Sequence, residues 1–120
     1  MKKYLSFEDL AIWKEGMRLC VKVYGLLYNC TDYGFKDQIQ RAAVSIPSNI
    51  SEGFERQTNK EFIQFLYIAK GSCGEFRTQL YLAKELKYIN EKDYSDLIIK
   101  ARLLSAMISS LIKNRKENNT

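Results

Sequence analysis

An unbroken heptad-like spacing of apolar residues in the second half of the chain limits the fold more than any other feature of the sequence. Steps of four and three residues alternate over about three heptads, and one α-helix places such a series on a single side. The residues of this seam are Phe62, Leu66, Ala69, Cys73, Phe76, Leu80 and Ala83. We expect a second row to widen the buried face, so that the helix needs more than one helical neighbour. This second row consists of Phe65, Ile68, Ser72, Leu82 and Leu86.

Three further segments carry apolar residues at helical spacing. The first follows an approximate capping box at Ser6 and Asp9, and its spacing predicts a helix of about 23 residues. Its expected apolar stripe is Leu10, Trp13, Met17, Cys20, Val21, Tyr24, Leu27 and Tyr28. A turn is expected over residues 29–34, which include Asn, Asp and Gly.

The remaining helix boundaries also follow from local signals. The second helix is expected from about Lys36 to Gln57, with a kink at Pro47, whose ring removes one backbone hydrogen bond. Thr58 caps the heptad-bearing helix, and Asn90 caps the fourth. Because the connections are short, neighbouring helices should be antiparallel. The sequence predicts one all-α domain over residues 1–120, an antiparallel up-down-up-down four-helix bundle with a Pro-kinked second helix.

The composition excludes several classes of site. The chain has no histidine, so it offers no imidazole base and no histidine metal ligand, and we expect no enzyme activity, metal or cofactor. The three cysteines, Cys20, Cys30 and Cys73, are too far apart for a zinc motif and are expected to be free thiols. Without a signal peptide or a long apolar run, the protein is expected to be cytoplasmic and not in a membrane. The net charge is +5, which is compatible with nucleic acid but does not require it.

A more specific signal lies between Gln38 and Ile89. The second predicted helix reads R-A-x-x-S-I-P-x-N-I-x-E-G-x-x-R from Arg41 to Arg56, and the third reads G-S-x-x-E-x-x-T from Gly71 to Thr78. In these patterns the sequence resembles the bacterial 23S rRNA intervening-sequence proteins. The resemblance implies a four-helix bundle that assembles as a ring-shaped homopentamer. A similar protein, the accessory variability protein of diversity-generating retroelements, binds nucleic acid and a reverse transcriptase, so RNA, DNA or a protein partner is expected here.

Polar residues occupy core-like positions on the second and third helices. They are expected to form a network across the two helices because buried polar groups are costly without partners. The members are Arg41, Ser45, Asn49, Glu52, Arg56, Ser72 and Glu75. The network is either a ligand or partner site, or a structural element that fixes helix register or a subunit contact. A catalytic or metal-binding role for Glu52 and Glu75 is disfavoured because no histidine accompanies them.

Basic residues form two rows that are candidates for nucleic-acid binding. Lys14, Arg18 and Lys22 follow each other at four-residue steps, and Lys70, Arg77 and Lys84 at seven-residue steps. Gathered from five subunits, these rows would bind phosphates in a salt-dependent manner. The alternative is a solvated surface in which acids such as Glu15 and Glu85 offset the charge.

Two further features of the third helix point to contacts. Tyr67, Tyr81 and Tyr88 recur off the seam, which is more typical of a protein interface than of a base-stacking surface. Gly71 and Gly74 are expected to allow close packing against the second helix.

Overall fold

The computed structural model describes residues 4–118, and within them it consists of helices and connections without a β-strand. A short 3-10 helix, Phe7–Asp9, precedes four α-helices. These are α1 (Ala11–Leu26), α2 (Tyr33–Phe54), α3 (Asn59–Glu85) and α4 (Glu91–Glu117). The predicted all-α four-helix fold is confirmed, and the body measures 48 × 21 × 20 Å.

Side-chain contacts show that α3 and α4 run antiparallel. At one end of the bundle, Asn59 Nδ2 at the start of α3 donates to the carbonyl of Arg115 near the end of α4, at 3.0 Å. At the other end, Lys84 Nζ of α3 lies 3.7 Å from a carboxylate oxygen of Glu91 at the start of α4. Each helix packs against its neighbours in sequence and α4 returns to α1, whereas α1 and α3 lie diagonally and do not pack together.

Helix capping explains where the helices begin. Thr58 Oγ1 accepts from the Glu61 backbone N at 3.1 Å, and Asn90 Oδ1 accepts from the Asp93 backbone N at 2.7 Å, as predicted. The start of α2 was predicted three residues too late. Asp32 caps it by accepting from the Phe35 backbone N at 3.2 Å, so residues 33 and 34 form its first turn.

The expected 23-residue first helix was wrong. The Asp9 carboxylate accepts from the backbone N of Ser6 at 3.2 Å, but this contact closes the 3-10 turn and not the start of α1. Leu10 then adopts an extended backbone, and α1 begins only at Ala11 and has 16 residues. The local capping signal was therefore real, but it belongs to a separate turn.

The core runs the length of the bundle, and it includes every residue of the α3 seam. The predicted stripe on α1 is partly wrong, because Met17, Val21, Tyr24 and Tyr28 are exposed. The buried side of α1 instead uses Leu10, Ile12, Gly16, Leu19, Cys20, Val23 and Leu27. Helix α1 has apolar residues on two faces, and only packing decides which one is covered. The second row of α3 is also less buried than expected, since Ile68, Leu82 and Leu86 are about half exposed.

Pro47 lies inside α2 without ending it, because the helix continues to Phe54. Its ring packs on α1, where a Cβ added to Gly16 would lie 3.3 Å from the Pro47 Cδ. Asn49 Nδ2 donates to the Ser45 carbonyl at 2.8 Å, so a side chain next to the proline binds the backbone. The kink itself stays a prediction.

Close packing between α2 and α3 occurs at Gly53, not at the two glycines expected from the sequence. A Cβ on Gly53 would lie 2.5 Å from the Cβ of Phe65, whereas nothing lies within 4 Å of a Cβ on Gly71. At Gly74 the nearest atom is the guanidinium of Arg77, on the same helix. The expectation that Gly71 and Gly74 pack against α2 was therefore wrong.

Gly53→Ala is expected to destabilise the protein by about 1–3 kcal/mol, because the two helices must separate to admit the methyl group. The matched control is Gly71→Ala, which meets no atom and should stabilise the helix by up to about 1 kcal/mol. Urea denaturation followed by circular dichroism measures both. Equal effects of the two substitutions would contradict the close approach at Gly53.

Candidate nucleic-acid interface

The basic row of α3 lies beside α4, where the two helices form a continuous surface. Tyrosine, basic and glycine residues follow each other on α3 at alternating steps of three and four, which places them on one side of the helix. They are Tyr67, Lys70, Gly74, Arg77, Tyr81 and Lys84. We call the cations Lys70, Arg77, Lys84, Arg102 and Lys116, together with Tyr67 and Tyr81, the basic α3–α4 face.

Two tyrosines of this face bind cations of α4. Lys116 Nζ donates to the hydroxyl of Tyr67 at 2.7 Å, and it lies 5.0 Å from the centroid of the same ring. Arg102 Nη2 donates to the hydroxyl of Tyr81 at 2.8 Å. Both tyrosines remain more than 40% exposed, so their rings are still accessible to a partner.

The cations between the two tyrosines lie on α3 itself. Lys70 is exposed and makes no ion pair within residues 4–118. Arg77 lies back over Gly74, where a Cβ would come within 3.9 Å of its Nη2. The Nε of Arg77 is enclosed and has no hydrogen-bond partner in the described part of the chain. Arg77 is therefore half-buried, and none of the ion pairs of residues 4–118 involves it.

Acidic residues neutralise little of this face. Among the salt bridges of the described residues, the pair of Lys84 with Glu91 is the only one that involves its cations. Lys84 Nζ also lies 4.7 Å from the centroid of the Tyr94 ring. The sequence does not predict that Arg102 and Lys116 join this face, because their position depends on the register of α4 against α3. The pairing of Tyr67 and Tyr81 with α4 could not be seen in the spacing of α3 alone.

The basic row of α1 lies apart from the α3–α4 face, because α1 and α3 are diagonal in the bundle. Lys14 is exposed, Arg18 pairs with Glu15 on the same helix, and Lys22 pairs with Asp96 of α4. Two of the three α1 cations thus have carboxylate partners. Within one subunit, the structure does not bring the two predicted rows together.

The predicted polar network divides into separate parts. Ser45 and Ser72 join α2 to α3 through their hydroxyl groups, which lie 2.8 Å apart, and Asn49 Nδ2 donates to Ser45 Oγ at 2.9 Å. Glu52 near the end of α2 forms an ion pair of 3.6 Å with Arg56, which lies in the connection to α3. Arg41 and Glu75 are exposed, and neither has a hydrogen bond or ion pair in the described structure. The serine–asparagine cluster links α2 to α3.

Burial governs the chemistry of two thiols. Desolvation raises the pKa of Cys20 to about 11 and also raises the pKa of Cys73, whose Sγ donates to the Ala101 carbonyl at 3.2 Å. Both thiols are therefore protonated and poorly nucleophilic at neutral pH.

Within residues 4–118, no three Cys, Asp or Glu side chains lie close enough together to hold a metal ion. Over the same range, every helix is too short or too polar to cross a membrane.

Asp96 connects α4 to α1, and its protonation should weaken the bundle. The hydrogen bond from Lys22, followed by that from Lys100 with Nζ at 3.3 Å, lowers the pKa of Asp96 below its ordinary value of 3.8. Because the folded pKa is the lower one, the contribution to stability is fully present above pH 3.8 and is lost as the pH falls through the folded value.

The measurement is the difference in urea stability between the parent protein and Asp96→Asn, at neutral pH and near pH 2.5. We expect the parent to be more stable at neutral pH and the difference to shrink in acid. A constant difference would show that the carboxylate charge plays no part. Tyr81→Phe is a useful reference, because it removes a surface hydrogen bond without a carboxylate.

By its fold and by this face, the chain is a helical-bundle protein with a basic, tyrosine-bearing face. The family model of the 23S rRNA-intervening sequence protein matches residues 8–110. The chain therefore belongs to the 23S rRNA-intervening sequence protein family.

A solved structure agrees with this assignment. The chain is similar to a protein of unknown function from the S23 ribosomal protein family of Bacteroides thetaiotaomicron, with a TM-score of 0.80 and 25% sequence identity. The match covers 86% of this chain and 99% of the other. No curated protein matches the sequence.

Proposed function

We propose that the chain is a cytoplasmic, non-enzymatic adaptor that assembles with copies of itself and binds RNA or DNA through the basic α3–α4 face. The pentamer is the assembly that the family resemblance implies. The observation that supports nucleic-acid binding most directly is the joining of Tyr67 and Tyr81 of α3 to Lys116 and Arg102 of α4. These contacts combine two helices into one surface of cations and accessible aromatic rings.

The chemistry of this surface suits a phosphate backbone. From Tyr67 to Lys84 the row is about 26 Å long, at 1.5 Å per helical residue. A strand of nucleic acid passing along it would meet cations for its phosphates and two partly exposed rings for unpaired bases. Among the ion pairs of residues 4–118, Lys84 is the one cation of this face that has an acidic partner, so most of the positive charge is available to a ligand. Assembly would multiply this charge by the number of subunits.

The exposed apolar row of α1 is the surface we propose for self-assembly. Met17, Val21 and Tyr24 of α1 and Tyr28 in the turn just after it follow each other at steps of four, three and four, and Val21 and Tyr28 are 70% and 78% exposed. Such a row would be costly to leave in water along a whole helix, and its burial against a second copy would stabilise an oligomer. The row is separate from the basic α3–α4 face, so both surfaces can be used together.

The same row favours a second candidate function, a scaffold that binds a different protein and no nucleic acid. Exposed aromatic and aliphatic residues at helical spacing are what a partner helix would contact. The two candidates differ in whether the protein binds nucleic acid in a salt-dependent manner, which the first of the following experiments measures.

Loss of charge on the basic α3–α4 face should weaken nucleic-acid binding. For Lys70→Gln/Arg77→Gln, we expect the slope of log affinity against log salt to fall by about 0.9 for each lost contact to duplex DNA, or by about 0.7 on a single strand. Fluorescence anisotropy with labelled duplex DNA, duplex RNA and single-stranded RNA measures the slope and shows which form is preferred.

The matched control is Lys14→Gln/Arg18→Gln, which removes the same charge from α1. This control should change the slope much less, because Arg18 already pairs with Glu15. Equal losses in the two variants would mean that binding follows net charge and not this face. No salt-dependent binding by the parent protein would leave the protein scaffold as the better explanation.

A charge placed in the α1 row should disrupt the oligomer. We expect light scattering after size-exclusion chromatography to give about five times the mass of one chain for the parent, and a much smaller mass for Val21→Glu. The control is Leu103→Glu on α4, which is 59% exposed and should keep the parent mass. The α1 interface would be refuted by an unchanged mass for Val21→Glu.

A further inference from the structure

A cleft of about 940 Å³ opens at the end of the bundle where α1 begins, α2 passes into α3, and α4 ends. This volume is within the range of about 300–1,000 Å³ that is usual for small-molecule sites. The floor is apolar and includes Phe54, Phe62, Met107 and Leu111. The residues that line the cleft belong neither to the exposed apolar row of α1 nor to the basic α3–α4 face.

The charged residues that line the cleft are both basic. They are Arg56 and Arg115, and none of the described lining residues is acidic, although Glu52 pairs with Arg56 from outside the lining. The guanidinium of Arg115 lies over the ring of Phe62 and that of Arg56 over the ring of Phe65, each 5.0 Å from the ring centroid. Stacking orients a guanidinium while leaving its N–H groups able to bind a carboxylate or phosphate in a bidentate manner.

The arginines differ in how firmly they are held. Arg56 is exposed, and its ion pair with Glu52, at 3.6 Å, is longer than a good hydrogen bond. Arg115 is half-buried and has no ion pair within residues 4–118. Arg115 is therefore the cation with the most to gain from an anionic ligand.

The side-chain amide of Asn59, which lines the cleft, has a hydrogen-bond acceptor without a donor among residues 4–118. Asn59 Nδ2 is used by the Arg115 carbonyl, but the enclosed Oδ1 of Asn59 has no donor in the described part of the structure. An enclosed acceptor without a donor is destabilising. A ligand with an N–H or O–H group that reaches this oxygen would supply the donor.

We propose that this cleft binds a small organic anion, with its carboxylate or phosphate on Arg115 and Arg56 and an apolar ring or chain on Phe54, Phe62, Met107 and Leu111. The site is independent of nucleic-acid binding and of self-assembly. It would give the bundle a small-molecule ligand at one end, remote from the turn that joins α1 to α2.

The probe is anilinonaphthalene sulfonate, an apolar anion with an N–H donor, titrated by fluorescence without nucleic acid. We expect Arg115→Gln and Arg56→Gln each to weaken its binding about tenfold or more, as for loss of a charged hydrogen bond. Arg115→Lys should retain part of the affinity. Naphthalene acetate should displace the probe at lower concentration than the neutral naphthalene methanol.

The control is Lys113→Gln, which removes one charge from the same helix outside the cleft and should leave binding unchanged. Unaltered affinity in both arginine variants would overturn the proposal, as would equal competition by the neutral analogue. A loss of probe binding in Val21→Glu, with the arginine variants unaffected, would assign the probe to the α1 row and also overturn it. Urea stability of each variant separates lost binding from lost folding.

Discussion

The close approach of α2 to both of its neighbours is the constraint on which the rest of the bundle depends. Gly16 faces the Pro47 ring on one side, where a Cβ would be tight at 3.3 Å. Gly53 faces Phe65 on the other, where a Cβ would clash at 2.5 Å. These contacts set the spacing at which Ile46 and neighbouring core residues of α2 are completely buried. A proline inside a helix loses a backbone hydrogen bond, and here its ring contributes to the core on α1.

The same packing determines which part of the surface is available for binding. The heptad seam of α3 is buried in the core, so the polar and charged contacts of α3 come from the residues on either side of the seam. One flank holds Ser72 against Ser45 of α2, and the opposite flank presents tyrosines and cations to α4. The basic face is thus a consequence of how α3 is rotated in the bundle. An antiparallel α4 then adds Arg102 and Lys116 at the heights of Tyr81 and Tyr67.

The sequence predicted what local chemistry decides, and less of what packing decides. The caps at Thr58 and Asn90 and the α3 seam were correct, because each depends on residues within a few positions of one another. The stripe on α1 was partly wrong because apolar residues occur on both of its faces. Gly53, and not Gly71, is the close contact, and only the position of Phe65 on another helix reveals it. Of the candidate basic residues, the α3 row could be found by spacing, but its α4 partners could not.

Helix α1 is the shortest of the four, and its contact with α4 is the smallest contact between adjacent helices. The outer side of this helix carries exposed apolar side chains, of which Val21 is 70% exposed. Local opening of a protein begins where few buried contacts must be broken, so α1 should exchange its amide protons before α2 and α3 do. If α1 is also the surface of self-association, dilution would dissociate the oligomer and lower the stability of the fold, so the free energy of unfolding would depend on protein concentration.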